Sequence, residues 1–210
     1  MEVNNQKNNF SDFTYLYLNK LNNIFDKEII EKIYLLSNDL KKAWDNGNNV
    51  FICGNGGSAG NAMHIANDFH YGVGSTYKNK ENKENKDKIL PGLKIHALPS
   101  NPSIITCLAN DIGYENIYSH QLKVLGNKND ILIVLSGSGN STNIINALFQ
   151  AKKLNIKSHA VVAFDGGKCK DTADNTIHFK ISDMQIAEDI QLIIFHICMQ
   201  WLSKTRVKEI

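Results

Sequence analysis

Two short stretches carry most of the chemistry that this 210-residue sequence offers. Gly54-Asn55-Gly56-Gly57-Ser58 joins three glycines to an amide and a hydroxyl, and Ser136-Gly137-Ser138-Gly139-Asn140-Ser141 sets three serines among two glycines. Glycines let the chain turn sharply and bring main-chain N–H groups close to an anion. Each stretch opens a predicted helix, whose N-terminal partial positive charge favours an anion there. A phosphate monoester, with several oxygens to satisfy and up to two negative charges, suits such a setting. Other readings compete. Gly54, Gly56 and Ala59 also fit the dinucleotide fingerprint G-x-G-x-x-A, but the next strand ends Ala97-Leu98-Pro99-Ser100, without the carboxylate that would hold a ribose. The second stretch alone could be a serine-rich turn with Asn140 or Ser141 as a helix cap. Two such loops at the same end of a parallel sheet favour phosphate.

A second group consists of titratable residues. His64 and Asp68 are four residues apart on one helix and share a face. Glu188 and His196 lie on the closing helix, two turns and a little apart. Two histidines and two carboxylates make a four-ligand set for zinc or a similar divalent ion. The same carboxylates could move a proton between adjacent carbons of a sugar. Taken alone, each pair reads more simply as a helix-surface interaction, because sequence does not bring the two helices together.

These residues need elements to hold them. Phe10 to Trp44 reads as two helices, with Ile29, Ile33, Leu36 and Leu40 at helical spacing and Gly47 as a stop. An alternation follows: strand Val50–Cys53, helix Ser58–Tyr71, strand Lys94–Leu98, and a helix from Pro102 to Ala109. Strand Ile131–Leu135, helix Asn140–Leu154, strands His159–Phe164 and Thr176–Lys180, and helix Met184–Lys204 complete it. Strands separated by helices predict an α/β fold, a five-stranded parallel sheet covered on both faces as a three-layer α/β/α sandwich. We expect residues 1–48 to be an N-terminal helical hairpin that packs or oligomerises, and residues 49–210 to be the α/β domain. The Lys/Asn/Glu run within 74–91 predicts a mobile loop.

Composition excludes some partners. A formal charge of +2, with no basic stripe among aromatics, gives nucleic-acid binding no electrostatic support. Met1-Glu2-Val3-Asn4-Asn5 has neither the basic start nor the apolar run of a signal peptide. No apolar stretch approaches the roughly 18 residues of a membrane span. Cys53, Cys107, Cys169 and Cys198 have neither metal-finger nor redox-motif spacing, so a reducing cytoplasm is expected.

Several of these stretches together resemble a known family. They are the Gly54–Ser58 loop with His64, Ala109-Asn110-Asp111-Ile112-Gly113-Tyr114-Glu115-Asn116, the Ser136–Ser141 loop, and the closing helix with His196. From about Leu35 to Trp201, in this order, they resemble the sugar isomerase (SIS) domain proteins and, within them, the phosphoheptose isomerases. The resemblance implies a flavodoxin-like fold and conversion of sedoheptulose 7-phosphate to D-glycero-D-manno-heptose 7-phosphate for lipopolysaccharide or capsule heptose. It also implies a homotetramer with sites between subunits and one zinc per site. By the same resemblance, Asn55, Gly56, Gly57 and Ser58 line the substrate pocket, and Asn110 and Asp111 touch the sugar. Ser136, Gly137, Ser138 and Ser141 hold the phosphate. His64 and His196 match metal ligands, and Asp68, Glu188 and His196 match the metal and proton-transfer positions. Three positions depart from the family pattern: Asp68 stands for glutamate, Glu188 for glutamine, and His120 for arginine. Two alternatives within the scaffold remain, an isomerase of another phosphosugar and a phosphosugar-binding regulator without catalysis.

Overall fold

The computed structural model describes residues 2–73 and 91–207. In chain order its main elements are α1 (Glu2–Asn22), α2 (Lys27–Asn46), β1 (Asn49–Gly54), α3 (Gly57–Asn67), β2 (Lys94–Ala97), α4 (Pro102–Ile112) and α5 (Ile117–Leu125). Then come β3 (Ile131–Ser136), α6 (Thr142–Lys153), β4 (Lys157–Val162), α7 (Gly167–Thr172), β5 (Asn175–His178) and α8 (Met184–Val207). Helix α2 starts where the Asp26 side chain accepts from Ile29 N at 2.9 Å, and it stops at Gly47 in the left-handed region. The expected loop 74–91 lies outside the described residues except for Pro91, whose carbonyl accepts from the Trp44 indole at 2.9 Å.

All five strands are parallel, in the order β2-β1-β3-β4-β5. The sheet is sealed on both faces, so its central strands are buried except at Asn49 and Lys157, the first residues of β1 and β4. Alternate residues supply the two cores. Ile52, Ile133 and Val161 face one way, against Leu36 and Leu40 of α2, Ile65 of α3, and Ile190 and Ile194 of α8. Phe51, Leu132 and Val134 face the other, against Ile117 and Leu122 of α5 and Ile144 and Leu148 of α6. The α/β/α sandwich is therefore as expected, with α2 sharing the core of the sheet.

Sequence and structure differ at two kinds of place. Helices α5 and α7 were not anticipated, because His120, Gln121 and Lys123 blur the apolar period of α5 and α7 is only six residues long. The helix expected to run unbroken from Ser58 to Tyr71 instead widens into a π-turn over Asp68–Gly72. Such bulges are frequent at functional sites.

The strand order fixes where a ligand can sit. From β1 the chain steps to β2 on one side, then crosses back to β3 on the other. Between these divergent connections a crevice opens at the carboxyl ends of β1 and β3. Both glycine–serine loops lie there.

Candidate active site

Strand β1 ends at Gly54, whose carbonyl accepts from the buried Tyr118 hydroxyl at 2.5 Å. Gly56, at φ 55°, then turns the chain into α3. On the neighbouring strand, Ser136 Oγ accepts from Gly139 N at 3.1 Å and Ser138 Oγ from Asn140 N at 3.3 Å, curling the second loop before α6 begins. Gly139 has φ 65°, and a Cβ there would collide with the Gly166 carbonyl. A cavity of about 270 Å³ lies between the loops, lined by Asn55, Gly56, Gly57, Ser58, Ser136, Gly137, Ser138 and Ser141. Met184 and Glu188 of α8 complete its wall. Gly57 lies under the Glu188 carboxylate, which a Cβ at this position would displace.

No lysine or arginine lines this cavity among the described residues. Its affinity for an anion would come from hydroxyls and from main-chain N–H groups at the start of α3 and α6, which lack intrahelical partners. Asn55 is largely committed elsewhere. It exchanges amide hydrogen bonds with Asn143 at 2.9 and 2.8 Å, and its Oδ1 also accepts from Tyr114 at 3.1 Å. One Asn55 N–H is left for a ligand. Asn110 and Asp111, expected to touch the sugar, are exposed at the end of α4, bond to each other at 2.8 Å, and do not line the cavity. His120 sits in an apolar groove between α4 and α5 with Ile104 and Val124, likewise away from it.

The titratable residues form a second feature. His64 and His196 bring their Nε2 atoms to 3.2 Å, and Asp68 Oδ2 lies 3.5 Å from the first and 3.2 Å from the second. Three ligand atoms at about 2.0–2.1 Å from a tetrahedral ion would be separated by about 3.3 Å. The donors thus fit a zinc-like ion, with a fourth position open. Glu188 is not in this group, since its carboxylate faces Gly57 and its Cα is about 12 Å along α8 from that of His196. The cysteines offer no alternative nucleophile. Burial pushes Cys198 up to about 12 and Cys169 up to about 11, and Cys53 higher still. Exposed Cys107 is raised by its hydrogen bond to Asp111.

Three polar residues that position the site went unnoticed in the sequence: Asn61, Asn143 and Gln191. Asn143 ties the two loops together, and Asn61 and Gln191 bridge α3 and α8. The one available signal was Gln191, an amide within the apolar run Ile190 to Ile194.

Residues 16–165 match the SIS domain family. The chain is 36% identical over 186 residues, 87% of each protein, to the phosphoheptose isomerase of Glaesserella parasuis serovar 5. The chain belongs to the phosphoheptose isomerase family of SIS-domain proteins. The phosphoheptose isomerase of Helicobacter pylori strain P12 is 34% identical over 160 residues, 76% of this chain and 77% of its own. In fold, the solved phosphoheptose isomerase of Francisella tularensis superposes with a TM-score of 0.77 at 23% identity, covering 97% of this chain and all of that one. As a phosphoheptose isomerase family member, the chain carries its histidine pair on α3 and α8, the two helices that Asn61 and Gln191 join, with its loops leading into α3 and α6.

Proposed function

We propose that the chain interconverts sedoheptulose 7-phosphate and D-glycero-D-manno-heptose 7-phosphate, a ketose–aldose isomerisation through an enediol. The observation that carries this reading is the joining of a phosphate-sized cradle to a pair of histidines and a carboxylate through the same two helices. Ser58 and His64 are six residues apart on α3, an offset of about 9 Å. An extended seven-carbon sugar phosphate spans a similar distance, on the order of 9 Å from its bond lengths. The phosphate would rest against Ser138, Ser141 and the amides of Gly57 and Ser58, leaving carbons 1 and 2 beside His64, Asp68 and His196.

Both contacts of Asp68 use Oδ2. Its Oδ1 is the atom we assign to remove a proton from carbon 1, with Glu188 the alternative base on the cavity side. The electron pair of that C–H bond forms the double bond of the enediol as the carbonyl oxygen takes up a proton. His196, through the ring nitrogen turned away from Asp68, returns a proton to carbon 2 while the hydroxyl on carbon 1 gives its own to solvent, offsetting the one the carbonyl oxygen took from solvent, and becomes the aldehyde oxygen. A divalent ion, zinc in our assignment, held by His64, Asp68 and His196 would act as a Lewis acid for negative charge on the sugar oxygens.

Two features support a homotetramer with sites between subunits. The side chains of His64 and His196 are 51% and 40% exposed, leaving the reactive edge open where another copy could close it. Helix α1 also carries Phe10, Phe13 and Leu16 outward, an exposed apolar stripe that another copy could cover. No helix among the described residues is long and apolar enough to cross a membrane, which accords with a cytoplasmic role in supplying heptose for lipopolysaccharide or capsule.

The direct test offers purified protein a panel of five- to seven-carbon ketose phosphates, with and without chelator. Chelator-sensitive conversion of the seven-carbon compound alone supports the proposal. Tight binding without turnover of any member would instead make the chain a phosphosugar-binding module.

A further inference from the structure

A chain of three hydrogen bonds runs from the backbone of α8 to the floor of the phosphate cavity, and its direction can be read. It starts at the carbonyl oxygen of Glu188, which can only accept. The atom of Asn61 that faces it at 2.9 Å must therefore be the amide nitrogen, Nδ2. That same Nδ2 lies 3.0 Å from the side chain of Gln191, so the atom it meets must be the acceptor Oε1. Gln191 consequently turns its Nε2 the other way, to Ser58 Oγ at 3.1 Å. An amide nitrogen only donates, so Ser58 Oγ accepts and its own proton is left to point elsewhere. Gln191 is fully buried and Ser58 nearly so, so protein groups set the direction of the bond between them. The cavity is the open space that Ser58 lines.

We infer that Gln191 is a positioning residue that fixes the polarity of the Ser58 hydroxyl, aiming its proton at the phosphate. This rests on the proposal above that the cavity holds a phosphate. The inference goes beyond a helix clamp, because a clamp needs only that α3 and α8 be tied. The relay needs the tie to run in one sense. A hydroxyl reversed by its neighbour would present lone pairs to an anion, losing a charge-assisted bond and adding a repulsion.

The experiment measures binding of inorganic phosphate to the full-length protein by calorimetry, with thermal unfolding as the check on folding. Gln191→Glu keeps the shape and the bond from Asn61 but offers Ser58 only an acceptor. Affinity should fall about tenfold or more, as it should in Ser58→Ala. Gln191→Met removes both bonds yet leaves the hydroxyl free to rotate, and should cost less than about threefold. A clamp alone gives the opposite order, with Met worse than Glu, and that result overturns the inference. Added charge is separated by a cycle: in a Ser58→Ala background Gln191→Glu should cost only the few-fold repulsion of its charge, less than in the wild type. A loss there as large as in the wild type would mark plain repulsion and also overturn it. Should Gln191→Glu not fold, Asn61→Asp inverts the same chain and takes its place in the cycle. Weakened binding in Ser138→Ala with normal binding in Gln191→Glu sinks only the relay. Unchanged binding in both Ser58→Ala and Ser138→Ala sinks the phosphate reading and the relay with it.

Discussion

The Nε2 atoms of His64 and His196 lie 3.2 Å apart although 132 residues separate them in sequence. No local rule creates that contact. It arises because α3 and α8 pack side by side on one face of the sheet, held by Asn61 and Gln191, and it brings Asp68 within 3.5 Å of both rings. This edge is where we locate the proton transfer.

Removing the His196 ring should therefore disable chemistry and spare the fold. For His196→Ala we expect turnover of sedoheptulose 7-phosphate to fall by about two orders of magnitude or more, with KM little changed. The unfolding temperature should stay within a few degrees, since the ring is 40% exposed. Steady-state kinetics beside a melting curve would check both halves, and undiminished turnover would remove His196 from the mechanism.

The ion assignment makes a separate claim. After chelation and reconstitution, elemental analysis should find about one zinc per wild-type chain. His64→Ala, which removes one corner of the ligand set, should weaken zinc affinity by well over tenfold. Full stoichiometry and unaltered affinity in that variant would place the ion elsewhere.

Glu188 sits in the wall of the proposed anion cavity, with no lysine or arginine lining it among the described residues. Its negative charge opposes a phosphate at short range. Glu188→Gln should bind inorganic phosphate several-fold more tightly, and if Glu188 is also the base, turnover should drop at the same time. Calorimetry paired with kinetics separates the two effects. Weaker phosphate binding in Glu188→Gln would mean that the carboxylate does not face the anion.

Stability carries its own pH signature. Asp39 of α2 is buried, and burial alone would raise its carboxyl. Hydrogen bonds from His159 at 3.1 Å and from Lys157 at 2.6 Å outweigh that and hold it at about 2, below the ordinary 3.8. Because the folded value is depressed, the stabilisation is complete above about pH 4 and is lost as pH falls from there towards 2. The amount is on the order of 2 kcal/mol. Denaturant titrations should show Asp39→Asn less stable than wild type at pH 6, with the gap narrowing by pH 3. A gap independent of pH would discount the ion pair.

Much of this site was legible before the structure. The loops at Gly54–Ser58 and Ser136–Ser141, which line one cavity, could be read because such turns depend on local backbone freedom and on hydroxyls close in sequence. The sheet could be read because β1, β3 and β4 each carry an unbroken apolar run, Val50–Cys53, Ile131–Leu135 and Ala160–Val162, as strands buried on both faces do. What could not be read depends on registry between distant helices. Glu188 was grouped with the histidines because it shares a helix with His196, yet two turns of α8 direct it to the cavity instead. Asn110 and Asp111, sugar contacts by the resemblance, lie exposed at the end of α4 and do not line the cavity within one chain. Asn61 and Gln191 gave almost no signal, because a buried amide is recognisable only once its partners are known. The π-turn at Asp68 was hidden for a similar reason, since helical periodicity does not distinguish it from an ordinary turn.

One measurement addresses the central claim most directly: a crystal structure of the protein with sedoheptulose 7-phosphate bound. The account predicts phosphorus between Ser138 Oγ and the amides of Gly57 and Ser58, with the sugar running towards His64 and His196. Phosphate lodged instead beside Lys152 and Lys153, in the polar groove between α5 and α6, with the serine loops untouched, would contradict it.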